Sequence, residues 1–94
     1  MSDVSSDFID FSKTNLSGSS EALFAAVPYG EIQERLIFNP NATNAIWINL
    51  TGGTAAPNVG GNIQIPALEG IRLQCTNAIT VIGTAGDDVT ALER

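Results

Sequence analysis

The sequence predicts an all-β fold: a small antiparallel β-sandwich or barrel of six to seven short strands, entered through an extended N-terminal arm. Three observations carry this. Short apolar runs with period-two alternation succeed one another after residue 20. Clusters of Gly, Pro, Asn and Asp separate them at roughly eight- to twelve-residue intervals, the spacing of an all-β domain. Beyond Val27 no window of about eleven residues shows helical periodicity.

The arm is defined by composition. All seven serines lie within the first twenty residues, at 2, 5, 6, 12, 17, 19 and 20. The shift places a boundary near residues 18–21, dividing an arm (1–20) from a β domain (21–94). The arm's apolar residues (Val4, Phe8, Ile9, Phe11 and Leu16) are too few to fold alone. Either it is a disordered tail, or it is a docking arm whose anchors Phe8, Ile9 and Phe11 order only against a partner. In the docking reading it is mobile in the free protein.

The strands follow in order. Residues 21–27 (EALFAAV) read as strand or short helix, since Ala and Leu favour helix but Pro28, Tyr29 and Gly30 end the run. Residues 32–38 (IQERLIF) precede an Asn-rich turn at 39–44 (NPNATN). Residues 45–50 (AIWINL) alternate most clearly, with Ile46, Ile48 and Leu50 on one face and Trp47 and Asn49 on the other. A long loop at 51–61, with four glycines and Pro57, leads to 62–65 (NIQI). A Pro-to-Gly return at 66–70 precedes 71–75 (IRLQC), then 78–82 (AITVI), a turn at 83–88 and a last strand at 89–92. The expected core between two layers is Ile46, Ile48, Leu50, Ile63, Ile65, Ile71, Leu73, Ile79 and Val81. Cys75, the only cysteine, reads as a small buried hydrophobe, and no intrachain disulfide can form.

Composition narrows the function. At 94 residues the chain is one small domain, burying only about 60–65% of its unfolded surface, so an assembly would help it. Charged residues make up 15%, against about a quarter in ordinary soluble domains. Four basic residues, Lys13, Arg35, Arg72 and Arg94, stand scattered against ten acidic ones, for a net charge of −6. That argues against nucleic acid and against an anionic membrane surface as partners. No apolar run reaches membrane-spanning length. Residues 1–6 are polar and lack the apolar stretch of a secretory signal, so synthesis in a cytosol is expected.

Catalytic chemistry finds few candidates. The absence of histidine, with one cysteine, removes zinc sites and His-based triads. Asp87-Asp88 at a hairpin tip reads as a solvated turn accepting backbone N–H bonds. The paired glycines 52–53 and 60–61 precede no helix and no lysine, so they make no phosphate cradle. The sequons at Asn41 and Asn49 are read as chance. No catalytic residue, metal ligand or cofactor is assigned. Trp47 and Tyr29 could pair as a sugar-stacking platform, or Trp47 is buried under the arm or against a neighbouring protomer; burial is favoured because no second tryptophan completes a platform.

From Arg35 onward, "RLIFNPNATNAIWINLTGGTA", "IQIPALEGIRL" and "AITVIGTAGDDVTALER" together resemble a small β-sandwich module of tailed-phage virion accessory proteins, the capsid decoration and head-fibre-like proteins. The resemblance covers about two-thirds of the chain. It implies a non-enzymatic structural protein on the outer surface of a phage head, made in the host cytoplasm, with the major capsid protein and sister protomers as partners. It also implies a trimer, because decoration proteins often occupy local threefold axes. Phe8, Ile9, Phe11, Tyr29 and Trp47 are the partner-binding candidates. The alternatives are a carbohydrate-binding module on a virion surface and a head–tail or tail adaptor.

Overall fold

The computed structural model describes residues 8–32 and 34–94, and among them are eight strands and no helix. They are β1 (Ile9–Asp10), β2 (Glu21–Phe24), β3 (Arg35–Phe38), β4 (Ile46–Asn49), β5 (Asn62–Ile65), β6 (Gly70–Leu73), β7 (Ile79–Ile82) and β8 (Thr90–Glu93). They form two antiparallel four-stranded sheets, ordered β1-β8-β3-β6 and β2-β7-β4-β5. Only β4 and β5 are sequence neighbours paired in one sheet; every other connection crosses between sheets. This order is a double-sheet jelly roll. The expected antiparallel sandwich is the observed architecture, with one strand more than the sequence pattern marked.

That strand lies in the arm. Residues 8–20 run along β8: the Phe11 N–H donates to the Ala91 carbonyl at 2.7 Å, and Lys13 and Val89 exchange two bonds of 2.9 Å. Leu16 donates to Asp87 at 2.7 Å and accepts from Gly86 at 2.8 Å. Leu16 is 2% exposed, and its Cδ1 lies where a Cβ on Gly83 would approach to 3.0 Å. The Phe11 ring meets Phe24 at 5.2 Å, tilted by 58°. The expected boundary at residue 20 therefore separates no structural units among the described residues. Phe11 and Leu16 find in their own domain the apolar surface that was expected on a partner, whereas Phe8 and Ile9 stay exposed. Residues 1–7, including Val4, lie outside the described residues.

The helix-or-strand ambiguity at 21–27 resolves as strand. Glu21 pairs with Val81, Ala22 with Thr80 and Phe24 with Ile79, so one residue is extra between Ala22 and Phe24. The bulge turns two successive side chains, Leu23 and Phe24, into the core. Tertiary burial outweighs the helix propensity of Ala and Leu here.

The core contains Ile46, Ile48, Ile65, Ile79 and Val81 as expected, joined by Leu16, Leu23, Phe24, Ile37, Val89 and Ala91. Leu50, Ile71, Leu73 and Cys75 pack against it half-buried, and Ile63 is exposed. The alternation placed Ile63, Ile71 and Leu73 on the correct face. But β5 and β6 are edge strands, and an edge residue is covered from one side only.

One charged pair is built into the core. Arg35 is wholly buried. It donates to Glu93 Oε2 at 2.8 Å, to the Asn77 carbonyl at 2.6 Å and to the Ala25 carbonyl at 2.9 Å. Its guanidinium lies 4.6 Å from the centre of the Phe24 ring. One side chain thus ties β3 to β8, to the β6–β7 connection and to the end of β2.

Candidate functional site

The two outer faces differ. On the second sheet, Asn49 points outward yet is buried, because the 51–61 loop folds back over it. Its Oδ1 accepts from the Thr51 N–H and hydroxyl, both at 2.8 Å, and from the Gly53 N–H at 3.1 Å. Its Nδ2 donates to the Thr54 carbonyl at 3.2 Å. Thr80 donates its hydroxyl to the Gly53 carbonyl at 2.7 Å, and the Ala55 N–H donates to Ser20 Oγ at 2.9 Å. Gly52 and Gly61 hold positive φ at the ends of this lid, +87° and +83°, where a side chain would be strained. The Asn49 amide is enclosed by these bonds, which leave no room for a glycan at its sequon.

Among the described residues the first sheet's outer face carries no such lid. Leu36 and Phe38 on β3 and Leu92 on β8 project from it. Phe38 lies over Gly70, whose missing Cβ would sit 3.1 Å from the ring. Around these lie Asp10, Glu34, Arg72 and Arg94. Glu34 takes both arginines, Arg72 at 3.0 Å and Arg94 at 2.6 Å.

The β5–β6 flank is also open. The turn at 66–69 joins the two edge strands, so both lie on one side of the sandwich. Ile63, Ile71 and Leu73 line its mouth, and Leu68 stands at the turn, 60% exposed. Leu68 has a φ of 62°, the left-handed region that leucine rarely enters. The turn is clamped there: Leu68 donates to the Asn39 carbonyl at 2.9 Å, and Asn39 donates to the Glu69 carbonyl at 2.8 Å. Asn39, itself buried, holds the Asn-rich turn by donating from its side chain to Asn44 and Ile65 carbonyls at 2.8 and 2.9 Å. Strained backbone carrying an exposed apolar side chain is a mark of a binding surface rather than of stability.

The sequence-predicted candidates scatter over these regions. Phe8 stacks on the Arg94 guanidinium at 4.7 Å, at the rim of the bare face. Ile9 is exposed on edge strand β1. Phe11 is consumed by the core. Trp47 is half-buried beside Gly18, Pro57 and Ile82 in a shallow cavity of about 300 Å³. Tyr29 is 97% exposed, beside a different cavity next to Gln74, Thr76 and Asn77. The two cavities share no lining residue, so Trp47 and Tyr29 do not form one stacking platform. Sequence reasoning did not name the exposed Leu68 and Phe38 or the half-buried Leu36 and Leu92, although alternation about an inward Ile37 turns Leu36 and Phe38 outward.

The acidic residues serve local structure. Asp88 Oδ1 accepts from the Asn15 N–H at 2.9 Å, and Asp87 Oδ2 accepts from Asn44 Nδ2 at 3.0 Å. Hydrogen bonds from Ser12 hold the Asp10 carboxyl below its ordinary pKa. Glu21 is lowered chiefly by the Ser17 N–H at 2.7 Å, with burial opposing and Lys13 adding a little. Among the described residues no three His, Cys, Asp or Glu side chains gather as a metal ion would need.

Comparisons with protein families, with characterised proteins and with solved structures returned no match.

Proposed function

We propose that this chain is a virion structural protein, a decoration protein that binds the major capsid protein on the outside of a phage head. The observation that carries the reading is the β5–β6 flank. Exposed Leu68, on strained backbone, stands at the turn joining two edge strands that carry the exposed Ile63 and the half-buried Ile71 and Leu73. Such a flank offers a partner both side-chain burial and backbone hydrogen bonds. Support comes also from the resemblance of residues 35–94 to phage accessory modules. The jelly roll is an architecture used by viral capsid and lectin domains, an analogy of fold that does not assign a function alone. The role is one of binding rather than catalysis.

The test uses Leu68→Asn. Asparagine tolerates the left-handed backbone far better than leucine, so the fold is kept and its melting temperature holds or rises. Occupancy on heads lacking the protein, measured by co-sedimentation, falls at least about fivefold if Leu68 is an anchor. Equal occupancy of variant and wild type would remove the flank from the account.

A further inference from the structure

We propose that the bare outer face of the first sheet docks on the same face of a second copy, about a two-fold axis parallel to its strands. Asp10 pairs with Leu92, Leu92 with Leu36, and Leu36 with Arg72. These four side chains form one row across the sheet: acid, leucine, leucine, base. In the adjacent row Arg94 and Glu34 exchange backbone bonds of 2.9 and 3.0 Å. In the row on the other side, Thr90 and Gly70 flank Phe38.

A two-fold axis along the strands, between β8 and β3, lays each row on its own reverse. Asp10 of one copy then faces Arg72 of the other, twice. Leu92 faces Leu36, and Arg94 faces Glu34. A two-fold axis across the strands would instead stack β1 on β1 and Asp10 beside Asp10. The charge pattern therefore selects one arrangement.

The groups are free to respond. Asp10 has no cation beside it among the described residues; it accepts only from Ser12. The Arg72 side chain is 74% exposed although it touches Glu34. Sheets stacked face to face lie about 10 Å apart, within reach of an arginine and an aspartate. The four charged side chains of the face, Asp10, Glu34, Arg72 and Arg94, cancel two against two. The second sheet cannot serve in the same way, because its lid is bonded over Asn49 and Thr80 on the matching face.

The contact is small. Four strands of this length present on the order of 300–400 Å² per copy, against about 800 Å² in a standard stable interface. Association is therefore weak and concentration-dependent, and it is strengthened where copies are held side by side. The dimer takes the place of the trimer that the resemblance implies. It does not depend on the capsid reading, and its test uses no particle.

The experiment is a charge swap followed over protein concentration by sedimentation velocity and amide chemical shifts. Wild type should dimerise, with shifts at residues 34–38, 72 and 90–94. Asp10→Arg and Arg72→Asp should each weaken self-association at least about tenfold, since like charges then meet twice. An equimolar mixture of the two variants should recover association as a heterodimer, because Arg at 10 then faces Asp at 72 and the native Arg72 faces the native Asp10. A monomer at about 1 mM, single variants that associate like wild type, or a mixture that stays monomeric would each overturn the proposal.

Discussion

The second sheet is partly covered by a lid that the chain supplies itself; the first sheet has none among the described residues. Both begin as the same object, four short antiparallel strands with one face in the core. The difference is the 51–61 loop, which spends its polar backbone on Asn49, Thr80, Ser20 and Asn62. A buried asparagine with three acceptor bonds and one donor bond makes that lid part of the fold. The first sheet has only a two-residue edge strand and an aromatic ring over a glycine. A face left unsealed on a domain this small is available to a partner.

Asn49→Ala attacks the lid and carries the largest expected effect. It strands two N–H groups and a hydroxyl under the loop, costing about 2–4 kcal/mol. Urea unfolding measures the loss, and hydrogen exchange at Thr51 and Gly53 should accelerate. A loss below about 0.5 kcal/mol would mean that the lid is an ordinary surface loop and the two faces are alike.

Leu36→Thr sharpens the other side of the comparison. The position is a strand residue on the bare face, and threonine is a good strand former. Stability should change by less than about 1 kcal/mol, while self-association is lost. A large destabilisation would show that the face is sealed by contacts within the monomer.

How far the sequence reveals this contrast depends on the residue. The pattern located six of the eight strands, left 21–27 open between strand and helix, and placed the central core positions Ile46, Ile48, Ile79 and Val81. It missed β1, because two residues in a serine-rich segment carry no period; their strand character comes from the free edge of β8. It put Asn49 on the outer face correctly, yet burial there comes from a loop eleven residues long that no periodicity describes. Ile63 was expected in the core because alternation gives a face but not a strand's place in the sheet. Arg35 left a readable signal: with Ile37 inward, Arg35 must also point inward, and Glu93 shares the inward face of β8 with Ala91. Two opposite charges at inward positions of neighbouring strands mark a buried pair.

The smallest expected effect is electrostatic, at the junction of arm and second sheet. Glu21 accepts from Ser17 and its folded pKa lies below the ordinary 4.5. Its stabilising contribution is therefore full above the unfolded value and lost as pH falls through the folded one. Glu21→Gln should melt slightly below wild type at neutral pH, with the gap closing as pH falls below the ordinary 4.5. A gap that stays constant with pH would assign the effect to packing.

Hydrogen exchange of the full-length protein, free and bound to heads, tests the capsid account most directly. The account predicts new protection in β5 and β6, at residues 62–65 and 70–73 and at Leu68, with exchange in the 51–61 lid unchanged. Protection confined to the lid and to Trp47, with β5 and β6 exchanging as in the free protein, would contradict it.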